Sequence, residues 1–230
     1  MPRSRAQRGR RWSPGVPQAA LEPPGSGGPG EELALERIVF FSDAVIAIAI
    51  TLLVIDIRLP EITGPAAEEL PRALLGLWPR YLGFVVSFLV VGSYWFGHHR
   101  IFRAVRGYDD LLMGLNLVFL LCIAFIPFAS SVLGEHLEER SAALFYALVI
   151  VTTGLADTAL WLYVTHDRRL VDPNLSARSV RLGTVRALVP PAVFLVSLPL
   201  LLLHAYLAIA VWLASFPLLI LFSRAERRTA

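Results

Sequence analysis

The chain has 230 residues, of which 56% are hydrophobic and 17% are charged, and its formal net charge is +3. So high an apolar share exceeds what a soluble domain of this length normally carries. The composition therefore excludes a soluble globular enzyme and indicates an integral membrane protein. No segment between the apolar stretches is long enough to form a separate catalytic domain.

Residues 1–32 are predicted to form a disordered cytoplasmic tail. The tail opens with five arginines and continues into a segment rich in proline and glycine at 23–30, a composition that does not support a packed core. No apolar stretch follows the basic start directly, so this segment lacks the form of a cleavable secretory signal. The five arginines are Arg3, Arg5, Arg8, Arg10 and Arg11.

Residues 33–224 contain six apolar stretches, each close to the roughly 20 residues that a helix needs to cross a bilayer. Apolar residues run continuously through each stretch, which favours helices over the alternating strands of a barrel. The stretches are 38–57, 81–97, 111–133, 142–164, 187–203 and 205–222. The predicted fold is therefore all-α, a polytopic membrane protein with six transmembrane helices and a cytoplasmic tail at 225–230.

The distribution of charge predicts the orientation of these helices. All 21 basic residues are arginines, and most lie near the N-terminus, in 100–106, in 168–186 or near the C-terminus. The loops on the other side are acidic, with Glu61, Glu68, Glu69, Glu135, Glu138 and Glu139. Because short cytoplasmic loops are enriched in positive residues, an N-in/C-in topology is predicted.

The first apolar helix carries an ionisable residue and, on another face, a stripe of mainly aliphatic residues. Asp43 lies roughly 9 Å into the helix beyond Arg37, and a charge inside a span is a candidate functional site. Four residues at spacing i, i+3, i+4 and i+7 share another face. They are Ile48, Thr51, Leu52 and Ile55. Asp43 points roughly 140° away from Ile48. Periodicity alone favours ordinary helix packing for the stripe and a structural clamp for Asp43.

Several polar residues are predicted at a similar depth, near the cytoplasmic ends of the helices. Buried polar groups in lipid need partners, so a shared polar layer is the economical arrangement. Its expected members are Ser42, Asp43, His98, His99, Asn116 and Asp157, with Arg37 or Arg186 as the countercharge.

Other site types are not supported. His98 and His99 diverge by about 100° on a helix and do not bind one ion from a single face, so no fixed metal site is predicted. The chain has no Walker loop and no GxSxG motif, which predicts neither an enzyme nor a cofactor. It also lacks the TVGYG filter of conventional potassium channels.

The remaining motifs carry a family likeness. The run from Arg37 through Phe41-Ser42-Asp43-Ala44 and on to Leu53 resembles the FSD signature of the transmembrane protein 175 family of potassium-permeable channels. The likeness continues in order along the next two helices. It includes Tyr94-Trp95, His98-His99, Phe102, Asn116-Leu117, Pro127-Phe128 and Gly134-Glu135. It covers about residues 33–135, and the last three helices match mainly in layout.

The resemblance implies a bacterial inner-membrane homotetramer in the lipid bilayer that conducts potassium ions and binds no nucleic acid. The first helix would line the pore, with Ile48 as the narrow hydrophobic ring, Ile55 as the next ring and Leu52 beside them. Potassium would pass transiently near the hydroxyl of Thr51. The remaining motif residues would be structural: Arg37, Phe41, Ser42, Asp43, Trp95, His98, His99 and Asn116.

Two other functions stay open. A secondary transporter or proton-coupled cation exchanger would use Asp43 and the two histidines, His98 and His99. A non-conducting scaffold would carry no ion flux in reconstituted vesicles. Single-channel currents at rates beyond alternating access would distinguish a channel from both.

Overall fold

A computed structural model describes residues 29–168, 170–172 and 174–216 of the chain. Regular structure in these ranges is helical, apart from one antiparallel bridge between Val105 and Val171. The helices are α1 (Pro29–Leu52), α2 (Ala66–Gly76), α3 (Trp78–Ala104), α4 (Asp110–Glu135), α5 (Arg140–Thr165), α6 (Ala177–Leu203) and α7 (Ala205–Phe216). The all-α class is confirmed, whereas nearly all of the predicted N-terminal tail and all of the C-terminal tail lie outside the described residues.

Four of the described helices, α3 to α6, are long and apolar enough to cross a membrane. Helix α1 is continuous, but charged residues interrupt its apolar run, among them Glu36, Arg37 and Asp43. Helix α7 is described only as far as Phe216. The four apolar helices α3 to α6 indicate a multi-pass membrane protein. The count of six spans and the N-in/C-in orientation stay predictions.

The bounds of several helices differ from the predicted stretches. Helix α1 ends at Leu52 and not at 57, and the N–H of Ile55 closes a turn on the Leu52 carbonyl at 3.0 Å. The 58–80 segment, which lies between the first two predicted stretches, contains α2. Proline and glycine near both ends of α2, and Pro71 inside it, are typical of loops, so the sequence pattern did not predict this helix.

Helix α6 begins at Ala177, ten residues ahead of the predicted stretch at 187–203. The side chain of Ser176 caps it by accepting a hydrogen bond from the N–H of Ser179 at 3.0 Å. The arginines of its first turns removed this part from the apolar stretch. Pro190 and Pro191 lie inside the helix.

Helix α5 packs between α4 and α6, and an aromatic cluster forms the centre of the core. Trp212 of α7 stacks on Phe194 with ring centroids 4.7 Å apart and lies 5.5 Å from Tyr146. Its indole N–H donates to the hydroxyl of Ser197 at 2.7 Å. Between helices in a bilayer, such side chains stabilise the fold by van der Waals packing and by this hydrogen bond. Through this cluster α7 packs against α6. Helix α1 packs against α4 and α3.

Candidate functional site

The buried face of α1 fixes how this helix is rotated in the chain. Ser42, Ile46, Ala49 and Leu53 follow spacing i, i+4, i+7 and i+11, and each is at most 2% exposed. This face packs against α4 and α3. The positions on the opposite face of α1 are therefore turned away from the described part of the chain.

The opposite face of α1 is uncovered. Ile48 and Ile55 are each 58% exposed, Leu52 is 41% exposed, and Thr51 is also exposed. Ala44 and Ala47 continue the same face toward the start of the helix. The predicted stripe is thus a surface that the described residues of the chain do not bury. Ile55 belongs to it from the turn that follows α1.

Thr51 is the polar position within this apolar surface. Its hydroxyl donates to the carbonyl of Ile48 at 2.8 Å. Because the hydroxyl proton is held by the helix, the oxygen keeps its lone pairs as an acceptor. An exposed acceptor between aliphatic side chains suits a cation that has lost part of its hydration shell.

A buried polar chain connects α1 to α4 and α3. The amide Nδ2 of Asn116 donates to the hydroxyl of Ser42 at 2.9 Å, and that hydroxyl donates to the carbonyl of Ile38 at 2.8 Å. Nε2 of His98 lies 3.0 Å from Oδ1 of Asn116. Since that oxygen accepts, this nitrogen carries the proton of the bond. The three side chains are at most 2% exposed, so their pairing meets the requirement for buried polar groups.

Asp43 has a different partner from Ser42. The indole N–H of Trp95 donates to Oδ1 of Asp43 at 2.9 Å, and His99 stacks on the Trp95 ring at 5.9 Å. Asp43 therefore faces α3, away from the uncovered stripe. Arg37 is exposed, and Phe41 is 53% exposed, so neither packs inside the single chain.

Asp157 and Arg186 do not lie with this polar layer, contrary to the argument from equal depth. They line a separate cavity of about 190 Å³ between α3, α5 and α6. A Cβ at Gly97 would lie 3.5 Å from Oδ2 of Asp157, so this neighbour of His98 faces α5. Depth along the bundle does not fix direction around a helix, and adjacent residues of α3 differ by about 100°.

Comparisons with known proteins agree with these motifs. The family model described as "Endosomal/lysosomal potassium channel TMEM175" matches residues 37–127, from α1 to Pro127 of α4. A protein of Streptomyces collinus named as a potassium channel is 43% identical over 154 residues, which are 65% of this chain and 74% of that protein.

A solved structure described as a lysosomal potassium-selective channel TMEM175 homolog from Chamaesiphon minutus is 32% identical, with a TM-score of 0.73. The match covers 83% of this chain and 98% of that one. The human endosomal/lysosomal proton channel TMEM175 is 25% identical over 177 residues, 73% of this chain but 35% of the human protein. The chain therefore belongs to the TMEM175 family of ion channels.

Proposed function

We propose that this chain is a potassium-permeable cation channel whose pore is lined by α1. The observation that carries the proposal is the uncovered face of α1, with Thr51 as its polar position between Ile48 and Ile55. Relatives named as potassium channels, at 43% identity in Streptomyces collinus and 32% in Chamaesiphon minutus, support the same ion.

One helix does not enclose a pore, so the proposal requires several copies around an axis. We propose a homotetramer in a bacterial inner membrane, with both ends of the chain cytoplasmic and α1 nearest the axis. Ala44 and Ala47 on the uncovered face allow neighbouring helices to approach closely. Four copies would turn each exposed side chain of α1 into a ring.

The rings would act by size and by dewetting. Four Ile48 side chains would form the narrowest, hydrophobic ring, and Ile55 and Leu52 would line the pore beyond it. Four Thr51 oxygens would replace part of the hydration shell of potassium. Hydroxyl oxygens in a flexible side-chain ring should discriminate between potassium and sodium less strongly than a fixed carbonyl filter.

Residues of the polar layer act as positioning residues in this proposal. The bonds among Ser42, Asn116 and His98 hold one face of α1 against α4 and α3, which turns Ile48 and Thr51 away from the chain. The bond between Asp43 and Trp95 adds a second tie to α3. These residues are not expected to contact the permeating ion.

The test is the single-channel current of the purified protein in planar bilayers. Ile48→Asn should raise the conductance severalfold, because a polar ring wets the constriction. Val196→Asn, which places the same amide at an aliphatic position of α6 that is 77% exposed, should leave the conductance unchanged. Thr51→Val should lower the preference for potassium over sodium by roughly fivefold while current persists.

Three outcomes would contradict the proposal. An unchanged current in Ile48→Asn would remove Ile48 from the constriction. Ion uptake without single-channel events would favour the transporter that uses Asp43 and the histidines. Vesicles without ion flux at any voltage would favour the non-conducting scaffold.

A further inference from the structure

A second polar site lies away from the uncovered face of α1, in the cavity between α3, α5 and α6. Its volume of about 190 Å³ is enough for several water-sized groups, since one needs roughly 10–15 Å³ by the same measure. Its polar and aromatic lining includes Tyr94, Arg100, Asp157, Trp161, Ser179 and Arg186. The pore proposed on α1 assigns no role to these residues.

The inner part of the cavity ends at a buried carboxyl group. Asp157 is 4% exposed, and Oδ1 has no hydrogen-bond partner among the residues that the structure describes. Two neutral donors of the lining are engaged elsewhere. The hydroxyl of Tyr94 donates to the carbonyl of Ile150 at 2.8 Å, and the indole of Trp161 donates to Thr184 at 3.1 Å. A donor from outside the chain would satisfy Oδ1.

The outer part of the cavity is cationic. Arg100 and Ser179 are exposed and Arg186 is half-buried, so this part is open to solvent or to lipid headgroups. Ser179 also lies in the first turn of α6, where the helix dipole is positive. Two guanidinium groups and the positive end of a helix dipole line this part, a set of groups that suits an anion.

We propose that this cavity binds an amino-alkyl phosphate group, with its protonated amine at Oδ1 of Asp157 and its phosphate between Arg100 and Arg186. Arg100 lies three residues beyond Gly97, the residue beside Asp157, which is roughly 4.5 Å along α3. The amine and the anion must therefore be separated by a short linker, as they are in phosphoethanolamine.

Two sources carry this chemistry: the headgroup of phosphatidylethanolamine and a soluble phosphoethanolamine. A headgroup has access because Arg100 lies near the end of α3 and Ser179 in the first turn of α6, helices that are apolar enough to cross a membrane. Interhelical basic sites at this level are a known way of holding lipid phosphates. Phosphatidylcholine has the same phosphate but no N–H donor, which makes it a matched control.

The test measures lipid retained by the full-length protein, by native mass spectrometry after release from nanodiscs of phosphatidylcholine with one-fifth phosphatidylethanolamine. Retention of phosphatidylethanolamine over phosphatidylcholine is expected, and Asp157→Asn should weaken it by about tenfold, the loss of one charge-assisted bond. Asp110→Asn, an exposed acid at the start of α4, should not change it.

A second variant guards against a folding defect. Ser179→Trp fills the open end from an exposed position and keeps Asp157, so retention should fall while thermal stability stays that of the wild type. A parallel titration of phosphoethanolamine into protein in pure phosphatidylcholine nanodiscs separates the sources. Binding of the lipid alone identifies a membrane site, and binding of the soluble probe alone identifies an aqueous ligand.

Binding of neither probe, or equal retention of the two lipids, would overturn the proposal. Wild-type retention in Asp157→Asn would overturn it as well. Channel currents play no part in these measurements, so the result is independent of the function proposed for α1.

Discussion

The two polar sites of this protein lie on two sides of α3, and they differ in how far their hydrogen bonds are completed. On the side of α1 and α4, His98 enters a chain with Asn116 and Ser42 in which each side chain is paired. On the side of α5, next to Gly97, Asp157 leaves Oδ1 without a partner within the described ranges. A completed network specifies a packing, whereas an incomplete one costs stability unless something else supplies the missing bond.

The completed network has a geometric consequence for α1. A rotation of this helix by one residue, about 100°, would separate Ser42 from Asn116 and turn Ile48 toward the chain. The network therefore selects which face of α1 remains uncovered. In this way a buried bond between side chains that never contact an ion sets the lining of the proposed pore.

The largest effect is expected from breaking the completed network. Asn116→Ala removes both the donor to Ser42 and the acceptor of His98, and it leaves Nε2 of His98 buried without its partner. The free energy of unfolding should fall by about 3 kcal/mol. Titration with SDS in mixed micelles measures this change.

Asn174 offers the matched control for this substitution. It is the other asparagine of the chain and is exposed in the loop before α6, so Asn174→Ala should change stability by less than about 0.5 kcal/mol. Equal effects of the two substitutions would show that the network does not stabilise α1.

A smaller effect is expected from the helix pair that carries the incomplete site. At Gly154 of α5, an added Cβ would lie 2.7 Å from the ring of Pro191 in α6. Gly154→Ala should therefore force α5 and α6 apart and cost about 2 kcal/mol of unfolding free energy. Gly114→Ala, at a helical glycine with open space around it, should be neutral or stabilising by up to about 1 kcal/mol. A neutral Gly154→Ala would show that this approach is not tight.

The tie between Asp43 and Trp95 should contribute less, because Trp95 is 36% exposed and Asp43 is only partly buried. Trp95→Phe keeps an aromatic ring against His99 and removes the indole donor, which should cost about 1 kcal/mol. Thermal unfolding in detergent measures it. Trp78→Phe, at a ring that is 49% exposed and stacks on Tyr206, controls for the change of ring. A loss in Trp78→Phe as large as in Trp95→Phe would assign the effect to packing.

The sequence alone predicted the helical class, because this follows from composition. It also placed Ser42, His98 and Asn116 at a similar depth, within a larger expected layer, and the structure joins these three by hydrogen bonds. It did not predict the limits of α1 and α6. Hydropathy marks where a chain is apolar, and it does not mark where Ser176 caps a helix or where a turn closes on Leu52.

The sequence also led to the prediction that Asp157 belongs to the polar layer beside α1, whereas it lines the cavity between α3, α5 and α6. The signal that separates the two sites is the direction of Gly97 and His98 around α3, and that depends on which helix packs on each side. Pairing of helices is set by many distant contacts and is not encoded in the spacing of any one segment. In the sequence, the glycines at 97 and 154 were the available indication of where helices cross, since small residues at a crossing allow two backbones to meet.

The smallest effect is expected at the incomplete site itself, in Asp157→Asn. The carboxyl group contributes little net stability because Oδ1 has no partner within the described chain and its burial carries a desolvation cost. Arg100 is exposed, so the substitution does not leave a buried guanidinium group. In detergent without phosphatidylethanolamine, the free energy of unfolding should therefore change by less than about 1 kcal/mol. A loss as large as that of Asn116→Ala would mean that Asp157 is a structural partner of the arginines and that the two sites differ in location but not in kind.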